Sequence, residues 1–235
     1  MTPLWAALST SPLPWLVVTL VAYLAADAIQ ARSGRHPAAN PMAISVALII
    51  ALLTLTGTPY ATYFEGARLV HLLVGPATVA LAIPLHAQLG RLRGMLIPLT
   101  IALIVGSIAA MASAVAIGWA CGASPDVLRA LAPKSATMPI AMGIAETIGG
   151  LPALTAFTVT LTGVSGAIMA PRLLALTRTD DPAVRGFAIG LTAHAIGTAH
   201  VLRESEEAGA FAALAMGLNG LATATLLPLL WNLAR

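Results

Sequence analysis

Charge is what this chain has least of. Of its 235 residues only 9% are Asp, Glu, Lys or Arg, against about 25% in an ordinary soluble domain. Too few charged side chains exist to cover a water-facing surface, and hydrophobic residues make up 58% of the chain with a mean hydropathy of +0.89. A soluble globular fold and a disordered chain are both excluded, and an all-α polytopic membrane protein is expected. Aromatic residues are 5% and no basic stripe runs along the chain, so nucleic-acid binding has no support. The single cysteine, Cys121, excludes an internal disulfide and any thiolate cluster for a metal. No G-x-S-x-G, Walker or H-E-x-x-H pattern occurs, so an enzyme reading lacks a nucleophile or metal signature, and no cofactor is expected. Lysine occurs once, as Lys134.

What remains is apolar, in runs. A membrane helix needs about 20 apolar residues, and such runs cover Pro14–Gln30, Pro41–Gly57, Leu69–Leu89, Met95–Ala120, Pro133–Gly149, Leu151–Leu176, Phe187–Leu202 and Ala208–Leu233. The loops between them are too short for a separate soluble domain, so residues 1–235 read as one integral membrane domain. The stretch from Met1 to Pro14 lacks the basic start of a cleavable signal peptide, which predicts that the first segment is retained. Arginines place the loops. Arg32, Arg35 and His36, then Arg91 and Arg93, then Arg172, Arg178 and Arg185 should all face the cytoplasm. Three apolar segments separate Arg93 from Arg172, so one of them must enter and leave by the same face. Pro133–Gly149, broken by prolines and glycines, is the candidate. The expectation is seven crossings plus one re-entrant or broken segment, with the N-terminus outside and the C-terminus cytoplasmic. A weak internal repeat lays Leu72-Leu73-Val74-Gly75-Pro76-Ala77-Thr78 over Leu131-Ala132-Pro133-Lys134-Ser135-Ala136-Thr137, giving copies 58–120 and 121–178. Transporters are often built from inverted repeats whose discontinuous helices meet at the substrate site.

The chemistry concentrates in Pro133-Lys134-Ser135-Ala136-Thr137-Met138-Pro139. Prolines inside an apolar segment leave backbone groups unpaired, which is tolerated only around a cavity or against protein. A half-helix starting here aims free N–H groups and a positive dipole end inward. With the Lys134 charge and the Ser135 and Thr137 hydroxyls this suits a small anion; the competing reading is a snorkelling lysine and hydroxyls bonded to their own backbone. Gly75-Pro76-Ala77-Thr78 is read either as a matching unwound stretch or as a plain proline kink. His194 and His200 are six residues apart with no acidic or cysteine ligand beside them, which argues against zinc. His194 suits a proton-linked or substrate-binding role, because imidazole titrates near neutral pH; His200 reads as structural. Glu146, in the last turn of Pro133–Gly149, is an alternative carrier of a coupling proton. Asn40-Pro41 reads as a turn and helix start, and Asn219 as an amide bonded to a neighbouring helix.

Several blocks together resemble the LrgB/CidB family, which is also similar to the C-terminal half of the plastidic glycolate/glycerate translocator. They are Asn40-Pro41, the stretch Leu73–Ala82 with Pro84-Leu85, Pro133–Ala141, Gly149-Gly150 with Arg185-Gly186, and His194-Ala195-Ile196-Gly197-Thr198. The resemblance spans most of the chain beyond the first segment. It departs from a common family pattern at Ala136-Thr137-Met138, where relatives often read Val-Thr-Thr, and the missing hydroxyl bears on substrate identity. Two functions are implied. One is a secondary transporter of small monocarboxylates of the glycolate, glycerate, lactate or pyruvate class, working by alternating access and linked to protons or exchange. The other is an antiholin-like regulator of murein hydrolases and lysis, acting with a small holin-like partner of the LrgA/CidA type. For the transporter, the expected substrate residues are Lys134, Ser135, Thr137, Thr78, Gly75, Pro76, Pro139, His194, Gly197 and Thr198, with His194 or Glu146 carrying the proton. A bacterial cytoplasmic membrane and a homo-oligomer, a dimer first, are also expected.

Overall fold

The computed structural model describes residues 12–36 and 39–233, and every regular element among them is a helix. The stretch before Pro12, with the retained-leader and N-terminal-side expectations, lies outside the described residues. Where the hydropathy pattern suggests one domain, the helices cluster as two compact units that divide between Ala80 and Leu81.

The first unit holds α1 (Pro12–Arg32), α2 (Pro41–Thr56), α3 (Tyr60–Leu72) and α4 (Val74–Ala80). Asn40-Pro41 starts α2 as its residue types dictate. The Asn40 side chain accepts from the Met42 and Ala43 N–H groups at 3.0 and 3.2 Å, and Pro41 occupies a position that needs no donor. Trp15, Ile49, Tyr63 and Ala67 form the packed centre of this unit. Gly75 and Pro76 lie exposed in the first turn of α4. Of the two readings of that stretch, the kink between helical pieces is the one observed, because proline is tolerated in a first turn. Thr78 belongs to α4; its side chain is outside the described residues.

The second unit begins with the short α5 (Ala82–Ala87) and α6 (Leu89–Gly94). It continues through α7 (Leu96–Ala120), α8 (Pro125–Leu131), α9 (Met138–Thr147), α10 (Pro152–Leu176), α11 (Pro182–Leu202) and α12 (Glu206–Leu233). Helix α7 and helix α10 each have 25 residues, and each leads into a segment that folds back on itself. After α7, the chain runs in as α8, turns over Pro133–Thr137 and returns as α9. Arg129 of α8 donates to the Gly149 carbonyl just beyond α9 at 3.4 Å, and Ala132, Ile144 and Ile148 pack in one cluster. The reversal covers Pro125–Thr147, so the segment expected at Pro133–Gly149 supplies its turn and outbound arm while α8 is the inbound one.

The second fold-back corrects the sequence reading. Phe187–Leu202 was expected to cross the membrane, and α11 is long enough in residues to do so. A straight helix of 21 residues would span about 30 Å. Yet Asp181, which caps its start, and Glu207, which lies just past its end, both bind the Arg91 guanidinium. Arg91 Nη2 contacts both Asp181 oxygens at 2.6 Å and Nη1 contacts Glu207. The chain reverses at His194, whose backbone leaves the helix at φ 41° and ψ −135°. The two arms then lie so close that a side chain on Gly197 would come 3.3 Å from the Ile189 carbonyl. Sequence hydropathy missed this turn because neither proline nor glycine marks it.

The two fold-backs enter from opposite ends of the unit. Arg91, Asp181 and Glu207 define one end. At the other, Gly118 of α7 abuts Leu128 and Leu131 of α8, and Thr155 of α10 donates to the Ala130 carbonyl. Helices α7 and α10 therefore run antiparallel. Leu227 and Trp231, near the end of α12, pack with Met111 and Ile148 towards this second end. The last turns of α12 thus pack towards the end of the unit away from Arg91, because the segment before α12 returns instead of crossing.

The surface is that of a membrane protein. Ile97, Ile101, Ile104, Val105, Ile108 and Ile117 of α7 are all exposed, whereas Ser107, Ser135, Thr155, His194, Thr198, Asn219 and Thr223 are buried. Apolar outside with a satisfied polar inside is the arrangement that lipid demands. Among the described residues five helical stretches are long and apolar enough to span a bilayer, with Pro41–Thr56 a shorter apolar helix. With 182–202 folded back, the described residues hold two broken segments where one was expected.

Candidate functional site

The tips of the two fold-backs meet in the middle of the second unit. Pro133 cannot continue α8, and two tight turns follow, Lys134 N–H to the Leu131 carbonyl at 3.1 Å and Ala136 N–H to the Pro133 carbonyl at 3.0 Å. Thr137 then takes an extended conformation and α9 starts at Met138. The Thr137 hydroxyl makes no capping bond to this helix, and Pro139 sits in its first turn. The first N–H groups of α9 are thus left without a side-chain cap from Thr137 at the end that carries partial positive charge. Lys134 is half-buried beside them and its ammonium donates to the Ser135 hydroxyl at 3.4 Å. Ser135 is buried and Ala136 packs with Ala141 and Val159, which fixes this tip against α10.

The other tip is built around His194. Its Nε2 lies 2.9 Å from the Val159 carbonyl; a carbonyl only accepts, so Nε2 carries the hydrogen and Nδ1 is the position left to take up a proton. The ring fits because α10 offers Gly163 opposite it, where a Cβ would lie 2.6 Å from Cε1. Thr198 donates to the His194 carbonyl at 2.8 Å. The second arm, from Ala195 onward, is a further half-helix whose N-terminal end lies at the tip.

One residue joins the two tips. Asn219 of α12 is 1% exposed. Its amide nitrogen donates to the Ser135 carbonyl at 2.9 Å and to the Leu191 carbonyl at 3.1 Å, while its oxygen accepts from Ser107 of α7 at 2.7 Å.

The expected site residues therefore divide. Lys134, Ser135, Thr137 and His194 are gathered at the paired tips. Gly197 is buried where the two arms of α11 press together, with its Cβ position 2.6 Å from that of Ala193, and the Thr198 hydroxyl is occupied by the break itself. Pro139 is exposed. Glu146 is exposed in the last turn of α9, about 12 Å along the helix from its start. Gly75, Pro76 and Thr78 belong to the first unit. His200 sits 3.3 Å from Glu204 at the far end of its arm, in keeping with a structural role. Among the described residues no three His, Cys, Asp or Glu side chains gather to hold a metal. Sequence reasoning treated Asn219 as an amide bonded to a neighbouring helix, which it is. Its two carbonyl partners on separate fold-backs had no signal in the sequence.

Close relatives share this chain almost end to end. A Bacillus subtilis (strain 168) protein, YwbG, described as uncharacterized, is 33% identical over 215 residues, covering 92% of this chain and 95% of the relative. Proteins named antiholin-like protein LrgB from Bacillus mycoides (strain KBAB4) and Bacillus cereus (strain B4264) are each 29% identical over 223 residues, 95% of this chain and 97% of theirs. No solved structure matches. The family pattern described as LrgB-like family matches residues 19–233. The chain belongs to the LrgB-like family of membrane proteins.

Proposed function

We propose that the second unit binds a small monocarboxylate between its two fold-back tips and carries it across the bilayer by alternating access. The observation that supports this most is the placement of the lone lysine. Lys134 sits half-buried at a helix break, next to the uncapped start of α9, in the fold-back tip that Asn219 joins to the second fold-back. A charged residue at membrane depth marks an ion or substrate pathway by default. In this reading Lys134 holds the carboxylate by charge, Ser135, Thr137 and the first N–H groups of α9 bond it, and His194 takes the coupling proton at Nδ1. Glu146, exposed and distant, has the weaker claim to the proton. The antiparallel pair of units, α7 with its fold-back and α10 with its fold-back, suits an inverted repeat, in a different register from the overlay of 58–120 on 121–178. Acids of the glycolate, glycerate, lactate or pyruvate class each carry the single carboxylate that such a site would hold. Positive residues at the Arg91 end favour the cytoplasmic side for that end.

The names of the relatives favour the second reading, and they favour it over the first. Antiholin-like LrgB proteins point to a regulator of murein hydrolases and lysis that acts with a small holin-like partner. Nothing in that role calls for a lysine and two opposed helix breaks, whereas an anion carrier does. Homo-oligomers are compatible with both. Uptake of labelled acids into liposomes holding the purified protein separates the readings. Carboxylate uptake that falls at least about tenfold in Lys134→Gln, and survives in part in Lys134→Arg, supports the carrier. No uptake by the native chain, with altered murein hydrolysis in cells lacking it, supports the regulator.

A further inference from the structure

All four hydrogen-bonding positions of the Asn219 amide are used, and each partner lies on a different piece of the unit or on α12 itself. The nitrogen has two hydrogens and faces two carbonyls, those of Ser135 in the first fold-back and Leu191 in the second. The oxygen takes the Ser107 hydroxyl of α7 and, at 3.5 Å, that of Thr223 one turn along α12. Neither carbonyl sits in an uninterrupted helix, and the residue four beyond Ser135 is Pro139, which has no N–H to offer. Ser135 lies in the turn between α8 and α9, and the residue four beyond Leu191 lies past the His194 break. Asn219 therefore completes both helix interruptions at once, in a site buried from solvent where an unpaired carbonyl is most unfavourable.

We propose that Asn219 is the positioning residue that fixes the spacing of the two tips, and that the affinity of the site for a carboxylate depends on it. The proposal rests on the carrier reading for what the tips bind; it does not need that reading for what Asn219 holds. One carboxylate can be addressed from both tips only while their separation is fixed. A tip pair that samples several separations is competent for a fraction of the time, and apparent affinity falls by that fraction. Turnover of the loaded protein is not limited by the same bonds. Asn219 acts through the two carbonyls it holds, and Ser107 through the orientation of that amide.

The test uses the full chain in liposomes with Cys121→Ser, spin labels on cysteines at the exposed positions Gly143 and Ala199, and electron–electron distance measurement. Asn219→Leu keeps the branched shape and removes both donors; Ser107→Ala leaves the amide but not its orientation. The expected result is a narrow distance distribution in the parent and a broad one in Asn219→Leu, with Ser107→Ala between them. Alongside it, KM for labelled glycolate rises about tenfold in Asn219→Leu with kcat nearly unchanged. Distributions identical to the parent overturn the proposal, as does a fall in kcat at constant KM. Should Asn219→Leu fail to accumulate, Ser107→Ala decides alone, and an unchanged distribution there is fatal. A parent that carries no acid at all defeats the carrier reading, while the distance distributions still decide what Asn219 holds.

Discussion

The two fold-backs make the same shape by different means. The first is written into local sequence. Pro133 ends α8, Pro139 falls where a helix start accepts it, and the turns between are ordinary backbone turns. The second has no such residue at its break. His194 holds φ 41°, a region that costs a non-glycine residue about 1–3 kcal/mol, and its neighbours maintain it: the Val159 carbonyl, the space over Gly163, the Thr198 hydroxyl and the Asn219 amide. Their arms differ likewise. The first arm of α11 is pressed onto α12, Gly186 and Gly190 facing the carbonyls of Ala208 and Ala212 with no room for a side chain. The outbound arm of the first fold-back has Gly143 in open space. A break encoded locally leaves one face of its arm open at Gly143, while its other face packs through Ala141, Ile144 and Ile148; a break imposed by tertiary contacts has its arm clamped backbone to backbone.

One substitution applied to both arms should break that comparison or prove it. Gly186→Ala drives a methyl into the backbone of α12 and is expected to destabilise by about 3 kcal/mol or more. Gly143→Ala adds a helix-favouring residue where nothing stands in the way, and is expected to leave stability unchanged or raise it. Thermal unfolding in detergent followed by size-exclusion chromatography reads both. Equal effects would mean that the second fold-back is not clamped through Gly186.

Next in size is the support of the His194 break. Gly163→Ala pushes on the imidazole and on Ile196 and should destabilise by about 1–3 kcal/mol. Thr198→Val removes the bond to the His194 carbonyl and should lower stability by about 1 kcal/mol. Pro139→Ala in the first fold-back, where the turn is held by local bonds, should change the melting temperature less than either.

These expectations show where the sequence was readable. Apolar runs located most of the long helices, Asn40-Pro41 located a helix start, and the prolines with Lys134 located the first tip. The second tip was hidden because its cause is distributed. The His194 turn depends on Gly163, Val159 and Asn219, residues 25 to 35 positions away, and an apolar stretch with no breaker reads as a crossing. Counting that stretch as a crossing also puts the last turns of α12 on the Arg91 side, whereas they pack towards the opposite end of the unit. The block His194-Ala195-Ile196-Gly197-Thr198 did carry a signal through the family resemblance, though not the reason for it. In the structure Gly197 allows the arms to close and Thr198 caps the break.

The smallest expected effect belongs to the proton. If His194 couples proton and anion, uptake rises as external pH falls from about 7.5 to 5.5, the range in which an unperturbed imidazole gains its charge. His194→Gln should flatten that profile while exchange of internal for external substrate persists. A pH profile unchanged in His194→Gln, measured in the same liposomes, removes the histidine from coupling.

The central claim is that the two fold-backs open to opposite sides of the membrane, and sided labelling of single cysteines in a Cys121→Ser background tests it most directly. Thr179 and Ser205 flank the second fold-back, and Ser124 and Glu146 lie at the ends of the first. Thr179 and Ser205 are expected to react with an impermeant reagent from one face, the same face as Arg91, and Ser124 and Glu146 from the other. Labelling of Thr179 and Ser205 from opposite faces would mean that 182–202 crosses the membrane after all, and would contradict the account.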